Sequence, residues 1–403
     1  MGKPFSFLKQ ELPKKADAVI IGGGVIGTVV ALYLARLKCD VLLLERNDIG
    51  TGTTSAAAAA ALLQTKTSAT KLQIANQSLH LLDLLHEQLE HRFEYKHTGS
   101  LLAANTPDEM TLIREMNDNL SNLGLDVELL DGKQTRELMP ILGETVIGGS
   151  YSPNDAQINP LELIVACACE AKRHGAKFLT FTEVTGIETS GSKIQAVMTT
   201  AGRVMTDTVI NAAGVWAPNI AKMANVSLPI TPLKGELLVT ERMPKQMKGT
   251  LIAAKYLLSK ASLEQKTADV TPKRSVGITL VQVDHGNFIV GSTREPAGFD
   301  QRSTYAGIRE LVRQLLELTP SLAETRLLRS YAGLRPITPD GYPIIGPLPT
   351  IPGFIQVAGF GGDGLAMSAI TAEMVASLVV DRGDHEFLPT FSFERFEPIE
   401  SQQ

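Results

Sequence analysis

Three glycines near the start of the chain, Gly22, Gly24 and Gly27, stand at the spacing of a dinucleotide-binding loop. Gly22 permits a tight turn, Gly24 has no Cβ to block a pyrophosphate, and Gly27 allows the following helix to pack closely. Glu45 stands 21 residues after Gly24, where a carboxylate can accept hydrogen bonds from ribose hydroxyls. The helix after the loop offers unpaired N–H groups to the phosphates. These residue types at this spacing predict a dinucleotide site.

The loop lies within the order of elements that a dinucleotide-binding fold requires. Residues 18–21 are an apolar run, residues 25–35 are helix-like, and a second apolar run at 41–44 ends on Glu45. A lone glycine motif is weak, whereas strand, glycine turn, helix and strand in this order are specific. A later apolar run, 204–211, is expected to return next to the first strand. Dinucleotide binding by itself leaves NAD(P) and FAD open.

Length, charge and composition exclude several classes of protein. The 403 residues suffice for two domains, and a net charge of −5 with a pI of about 5.9 gives no electrostatic footprint for nucleic acid. No apolar run reaches the roughly 18 residues that span a bilayer, and no signal-peptide pattern is present, so we expect a cytoplasmic protein. The cysteines Cys39, Cys167 and Cys169 are expected to be buried thiols, and no metal site is predicted.

The apolar patterns predict an α/β (α+β) fold of two interleaved domains. Helices are expected at residues 72–90, 111–123, 134–139, 161–174, 306–318 and 366–380, and the alanine run 56–61 favours another. Strands are expected at residues 18–21, 41–44, 177–181, 184–188, 194–199, 204–211, 237–240, 277–283 and 287–291, with a surface loop at 260–274. The predicted Rossmann-like nucleotide-binding domain comprises residues 16–90, 145–225 and 331–385. A β-rich substrate or cap domain takes residues 91–144 and 226–330.

The C-terminal part of the chain favours FAD over NAD(P). Residues 357–365 are an apolar stretch that turns through several glycines before the last predicted helix. Backbone N–H groups of such a turn can face the N1/C2 carbonyl edge of an isoalloxazine ring and stabilise the anionic reduced flavin. The nucleotide-binding domain is therefore predicted to be an FAD-binding domain.

Several motifs, in the same order along nearly the whole chain, resemble those of the glycine/D-amino-acid oxidase (DAO) family of FAD-dependent oxidoreductases. They are residues 22–27, Glu45-Arg46, Thr53-Thr54-Ser55, the turn 157–160, residues 211–216, Arg335 with its neighbours, and the turn 359–365. The resemblance implies non-covalent FAD, since no histidine or cysteine is obviously placed for a covalent bond.

The resemblance also implies which residues bind the cofactor. Val25 and Ile26 would contact the pyrophosphate, Glu45 and Arg46 the ribose and adenine, and the small alanines would let the backbone approach the flavin. The implied set is Gly22, Gly24, Val25, Ile26, Gly27, Glu45, Arg46, Thr53, Thr54, Ser55, Ala58, Ala59, Ala60, Val184, Gly214, Phe360, Gly361, Gly362, Asp363, Gly364 and Leu365.

Arg335 matches the family's arginine that pairs with a substrate carboxylate, and a guanidinium can grip a carboxylate through two hydrogen bonds. Gly362 stands where glycine oxidase has a second arginine, and Thr279 where it has a tyrosine. Residues 286–295, residues 298–300 and the turn 361–364 are closer to the β-type subunits of sarcosine, proline, hydroxyproline and opine dehydrogenases and to the related subunit of hydrogen cyanide synthase. Phe360 departs from that subgroup too, which commonly has histidine there.

The resemblance implies oxidation of the C–N bond of a small or N-substituted amino acid. Hydride would move from Cα to flavin N5, and the imine would hydrolyse in water. No catalytic acid or base is assigned, and His285 and Tyr256 are candidates by chemistry alone. Two alternatives stay open, a free-standing glycine or D-amino-acid oxidase that releases hydrogen peroxide and a flavin-carrying electron-relay subunit. Further redox centres would then belong to partner subunits, in a homo- or hetero-oligomer.

Overall fold

The computed structural model describes residues 11–257, 274–381 and 385–396. The strands in this part of the chain are β1 (Ala18–Ile21), β2 (Val41–Leu44), β3 (Ala60–Ala61), β4 (Tyr95–His97), β5 (Ser100–Ala104), β6 (Glu128–Asp131), β7 (Gly148–Ser152), β8 (Ala156–Ile158), β9 (Lys177–Leu179), β10 (Val184–Ser190), β11 (Lys193–Thr199), β12 (Gly202–Met205), β13 (Val209–Asn211), β14 (Thr231–Arg242), β15 (Thr250–Ala253), β16 (Ser275–Gln282), β17 (Asn287–Arg294), β18 (Leu327–Ile337), β19 (Ile344–Leu348) and β20 (Ile351–Ala358).

The α-helices that lie wholly within the described ranges are α1 (Val25–Arg36), α2 (Ala69–Gln88), α3 (Pro107–Asn122), α4 (Gly132–Leu138), α5 (Pro160–Arg173), α6 (Ala217–Lys222), α7 (Tyr305–Leu318), α8 (Ser368–Ala376) and α9 (Leu388–Phe391). Short 3₁₀ turns cover Thr53–Ala56, Gly214–Trp216, Pro320–Leu322 and Phe393–Phe396, and a π-helical turn, Ser377–Asp381, extends α8. No helix in the described ranges is long and apolar enough to cross a membrane.

The strand that precedes the glycine loop is central in a six-stranded sheet. The sheet has the order β19-β20-β13-β1-β2-β9, and β1 pairs in parallel with both β2 and β13. Every residue of β1 and β2 is buried, as expected when helices cover a parallel sheet. Apolar side chains of α1, α5 and α8 pack on one face of this sheet. The predicted return of the chain next to the first strand, and the α/β fold, are confirmed.

A second, eight-stranded sheet forms the other half of the molecule. Its order is β18-β14-β17-β16-β15-β5-β7-β6, with long antiparallel pairings among β18, β14, β17 and β16. Leu311, Leu315 and Leu318 of α7 pack on one face of this sheet. The opposite face of β14 and β17 is turned toward the six-stranded sheet.

Two local predictions are wrong. Residues 56–61 do not form the predicted helix, because the 3₁₀ turn ends at Ala56, Ala59 has a φ of +59°, and Ala60 and Ala61 pair with Gln157 and Ala156 of β8. This tertiary pairing overrides the helical preference of alanine. The run 204–211 is two strands, β12 and β13, which belong to different sheets. Residues 260–273 of the predicted surface loop lie outside the described residues.

The other predicted helices and strands are present with ends displaced by a few residues. The predicted division into domains stays a proposal. The predicted FAD-binding domain includes residues 145–152 and 331–337. The bounds of that domain would move if sheet membership decided them, because β7 and the whole of β18 belong to the eight-stranded sheet.

A buried carboxyl group holds the segment after the alanine run. Asp155 is fully buried, and its carboxylate accepts hydrogen bonds from the N–H groups of Leu63 (2.6 Å) and Gln64 (3.3 Å) and from Ser100 Oγ (2.5 Å). Burial nevertheless dominates and raises the pKa of Asp155 to about 6. The native state therefore retains this proton at a pH where the unfolded chain has lost it.

We predict that this carboxyl group makes the protein less stable as the pH rises. Because the folded pKa lies above the ordinary value of 3.8, the contribution of Asp155 to the free energy of unfolding declines between about pH 4 and pH 6. A shift of about two pKa units corresponds to about 3 kcal/mol. Asp155→Asn keeps the acceptor oxygen and should remove this part of the pH dependence. Urea unfolding of both proteins from pH 4 to pH 7 measures it, and parallel curves would contradict the assignment.

Candidate active site

A cavity of about 380 Å³, called here the main cavity, lies between the two sheets. One wall is made by the carboxyl ends of β1, β2, β13 and β20, which is where ligands bind in open α/β sheets. The other wall is the face of β14, β16, β17 and β18 that is turned away from α7. The cavity thus extends from the glycine loop to the strand that carries Arg335.

The three loop glycines have different functions. Gly22 has a φ of +115°, and a Cβ there would lie 2.5 Å from the carbonyl oxygen of Ala212. A Cβ on Gly27 would lie 2.0 Å from the carbonyl oxygen of Gly22. The nearest atom to a Cβ on Gly24 is Thr54 Oγ1, at 3.2 Å. Gly22 and Gly27 are therefore required by the fold, whereas Gly24 leaves space in the main cavity.

The first turn of α1 borders this space with its positive end. The helix begins at Val25, and its N-cap residue Gly24 provides no side-chain cap. The N–H of Val25 donates to Thr54 Oγ1 at 3.0 Å, and Ile26 also lines the cavity. An uncapped helix N-terminus with a glycine in front of it is a suitable site for a phosphate group.

Glu45 and Arg46 lie at one end of the main cavity. The carboxylate of Glu45 accepts hydrogen bonds from the N–H groups of Gly23 (2.8 Å) and Asn47 (2.9 Å), which hold it at the rim. The guanidinium carbon of Arg46 lies 4.2 Å from the ring centre of Trp216. The predicted residues Val184 and Gly214 line the same cavity. This end has the carboxylate and flat surfaces that a ribose and an adenine require.

The segment 56–60 forms part of the cavity wall. Ala58 and Ala60 line the main cavity, whereas Ala59, with a φ of +59°, borders a separate cavity of about 150 Å³. Ser55 borders that second cavity as well, and Gly27 is enclosed by the loop. Three predicted cofactor residues, Gly27, Ser55 and Ala59, are therefore not brought to the main cavity.

The C-terminal turn closes the cavity beside Arg335. Phe360, Gly361, Gly362, Asp363, Gly364 and Leu365 all line it. The regular helix α8 begins only at Ser368, so the cavity is bordered by the irregular turn that precedes the helix. A Cβ on Gly362 would lie 3.9 Å from Nε of Arg335, which leaves a gap beside the arginine.

The side chain of Arg335 extends from its own strand, β18, across the neighbouring strand β14 and reaches β17. Its guanidinium donates to Ser292 Oγ at 2.5 Å and to the carbonyl oxygen of Thr293 at 3.3 Å. The path crosses Gly235, where a Cβ would lie 2.2 Å from Nη1 of the arginine. Gly235 and Ser292 were not predicted, because their contacts with Arg335 are made across strands that are distant in sequence. They hold the guanidinium at the cavity wall.

Arg335 carries a positive charge in a poorly solvated position. Burial and then the nearby charge of Arg294 lower the pKa of Arg335 to about 10, and the influence of Tyr256 raises it. The guanidinium carbon of Arg294 lies 4.4 Å from the ring centre of Tyr256, which lines the cavity. Arg335 is still protonated at neutral pH. A bound carboxylate would offset charge that water does not stabilise here.

The described residues that line the main cavity include no histidine. His285 is exposed in the turn between β16 and β17, so it is not a candidate acid or base. Tyr256 and Thr279 do line the cavity, and Thr279 Oγ1 donates to the carbonyl oxygen of Gly291 at 3.1 Å. The surroundings of Arg335 thus supply a carboxylate-binding cation and hydroxyl groups.

A family model for FAD dependent oxidoreductases, called DAO, matches residues 17–378 of the chain. The hydrogen cyanide synthase subunit HcnC of Pseudomonas aeruginosa is 30% identical over 331 residues, which cover 81% of this chain and 74% of that protein. The glycine oxidase of Geobacillus kaustophilus is 29% identical over 386 residues, covering 94% and 97%. The crystal structure of L-proline dehydrogenase from P. horikoshii has a TM-score of 0.84 at 28% identity and covers 96% of this chain and 100% of that one.

We predict that Gly24→Val removes the cofactor without unfolding the protein. The valine side chain would take the space in front of α1 that a pyrophosphate needs, so the ratio of FAD to protein should fall by roughly tenfold or more. The visible absorption of purified protein measures this ratio. Gly186→Val is the control, because Gly186 does not line the main cavity and a Cβ there has Met198 Cβ as its nearest neighbour at 3.6 Å. Equal flavin content in both variants would be inconsistent with a pyrophosphate bound in front of α1.

Proposed function

This chain belongs to the DAO family of FAD-dependent oxidoreductases, and we propose that it oxidises the C–N bond of a small or N-substituted amino acid. The observation that carries the proposal is the charged, half-buried Arg335, which faces the same cavity as the turn 360–365. A guanidinium held in this way binds a carboxylate in a fixed orientation. The amino-acid part of the proposal rests on this residue.

The residues around the main cavity fit FAD. Gly24 leaves space in front of the uncapped helix α1, and Glu45 and Arg46 lie where the ribose and adenine would bind. When bound, FAD supplies the acceptor for the hydride that leaves the substrate Cα. Arg335 would fix the carboxylate, so that Cα faces the turn 360–365. With no histidine in the described lining, the amine would have to bind in its neutral form, and no residue is assigned to take its proton.

The space beside Arg335 favours a substrate larger than glycine. Gly362 leaves a gap next to the guanidinium, and Thr279 presents only a short side chain. Relatives at about 30% identity are named for different activities, glycine oxidase and L-proline dehydrogenase among them, so the likeness alone does not select a substrate. An N-substituted or ring-shaped amino acid would fill the gap.

The electron-relay alternative has support of its own. The relative from Pseudomonas aeruginosa is named as a subunit, so partner subunits with further redox centres are a second candidate arrangement for this chain. A cytoplasmic location and a non-covalent flavin complete the proposal.

We predict that Arg335→Lys retains FAD and weakens substrate use by roughly one to two decades, because a charge-assisted contact with two hydrogen bonds is worth about 1.5–3 kcal/mol. Anaerobic flavin reduction at increasing substrate concentration measures the loss. The loss should nearly vanish for the corresponding amine that lacks the carboxylate. Unchanged reduction by the amino acid would remove Arg335 from the substrate site.

Gly235→Ala is the companion variant. It keeps the arginine but displaces the guanidinium by placing a methyl group where Nη1 now lies. It should therefore resemble Arg335→Lys in apparent affinity while its flavin content stays normal.

We predict that sarcosine, proline or an opine reduces the flavin faster than glycine does. The gap at Gly362 should favour the larger substrates. Anaerobic reduction rates for these four compounds test the order, and glycine as clearly the best substrate would overturn it. Hydrogen peroxide release in air favours a free-standing oxidase, dye reduction without peroxide favours a dehydrogenase, and neither activity favours the relay subunit.

A further inference from the structure

A buried ion pair lies behind the C-terminal turn. The side chain of Lys66 is 2% exposed, and its Nζ donates to Asp363 Oδ1 at 2.6 Å. The side chain of Asp363 is 31% exposed and lines the main cavity. One partner is thus enclosed by protein, while the other faces the space proposed for the flavin. No sequence motif links these two residues, which are almost 300 positions apart.

The position of Lys66 is fixed from its backbone. Its N–H donates to the carbonyl oxygen of Leu63 at 2.9 Å, and the N–H groups of Leu63 and Gln64 are held by the buried carboxyl group of Asp155. Lys66 therefore extends from an anchored segment to the turn 360–365. The anchor, the lysine and Asp363 form one continuous connection from β8 to the cavity.

Stability alone is a poor reason for this pair. Removing a lysine from water is costly, and a buried ion pair is often no more stabilising than apolar side chains of the same volume. The carboxylate at the cavity gives a better reason. A negative charge beside a ring that must accept electrons would oppose its reduction, and a positive charge in contact with that carboxylate cancels much of the effect.

We propose that Lys66 is a positioning residue of the cofactor site. It holds the turn 360–365 through Asp363 and compensates the charge of that carboxylate, so that the flavin binds tightly and accepts electrons readily. The inference requires only that FAD binds in the main cavity, and it is independent of the amino-acid substrate.

The test compares Lys66→Met, Asp363→Asn and the double variant as purified flavoproteins. FAD release after dilution, followed by flavin fluorescence, and the midpoint reduction potential are measured for each. Lys66→Met should release FAD at least roughly tenfold faster, because it leaves a carboxylate without this compensation, and should have a lower potential. Asp363→Asn should have a higher potential than the unmodified protein. The double variant should release FAD more slowly than Lys66→Met and have a higher potential than it, since neither charge is then present.

Lys234→Met is the matched control. Lys234 is as buried as Lys66, and its Nζ lies 3.4 Å from Glu236 Oε1. It belongs, however, to the face of β14 that is turned away from the cavity. This control should lose stability and keep the flavin potential. The proposal is overturned if Lys66→Met matches the control in both FAD release and reduction potential. It is also overturned if FAD release in the double variant is accelerated by as much as in the two single variants together. If Lys66→Met does not fold, Asp363→Asn decides, and an unchanged potential in that variant overturns the proposal.

Discussion

The close approach of two backbone segments fixes the geometry of the main cavity. Thr53 Oγ1 donates to the carbonyl oxygen of Leu334 at 2.6 Å, and a Cβ on Gly333 would lie 2.5 Å from Cβ of Ala56. Segments this close have no room for larger side chains, so alanine and glycine are required where they meet. Because the first segment follows the glycine loop and the second carries Arg335, this approach sets the distance between the proposed nucleotide end and the proposed substrate end of the cavity.

Lys66 and Arg335, the two cationic side chains near the turn 360–365, have different kinds of hydrogen-bond partner. Lys66 is in contact with the carboxylate of Asp363. Arg335 donates instead to neutral oxygen atoms of Ser292 and Thr293, so these hydrogen bonds orient the guanidinium without cancelling its charge. A charge that is oriented but not neutralised, in a poorly solvated position, is suited to bind an anion. The arrangement explains why Arg335, rather than Asp363, is the group proposed to bind substrate.

The parts of the site that the sequence predicts are those built from neighbouring residues. The glycine loop, α1 and Glu45 belong to one β-α-β unit, and the spacing along the chain determines their arrangement in space. The alanine run is different, because its conformation is decided by pairing with β8, almost 100 residues later. Local preference alone therefore indicates a helix where the protein has irregular backbone that ends in a short strand.

The same reason explains which site residues sequence patterns do not reveal. Gly235 is a glycine in a long strand, and its importance lies in the arginine side chain that crosses it from the neighbouring strand. Lys66 would ordinarily be a surface lysine, and only the folded chain places it against Asp363. Pairs of this kind are set by strand register and by packing, which one sequence does not encode in any short motif.

In the proposed function, the choice of substrate depends mainly on the eight-stranded sheet. The proposed flavin-binding framework comes mainly from the six-stranded sheet, while the far end of the cavity is lined by side chains of β14, β16, β17 and β18. A change at one of these strands alters the substrate space without disturbing the nucleotide loop, which is how one fold accommodates different activities. Arg335 and the nearby Arg294 make that end positive, because the carboxylate of Asp363, which also lines the cavity, is already in contact with Lys66. A substrate with a cationic side chain would therefore be repelled, and the group that fills the gap at Gly362 should be neutral.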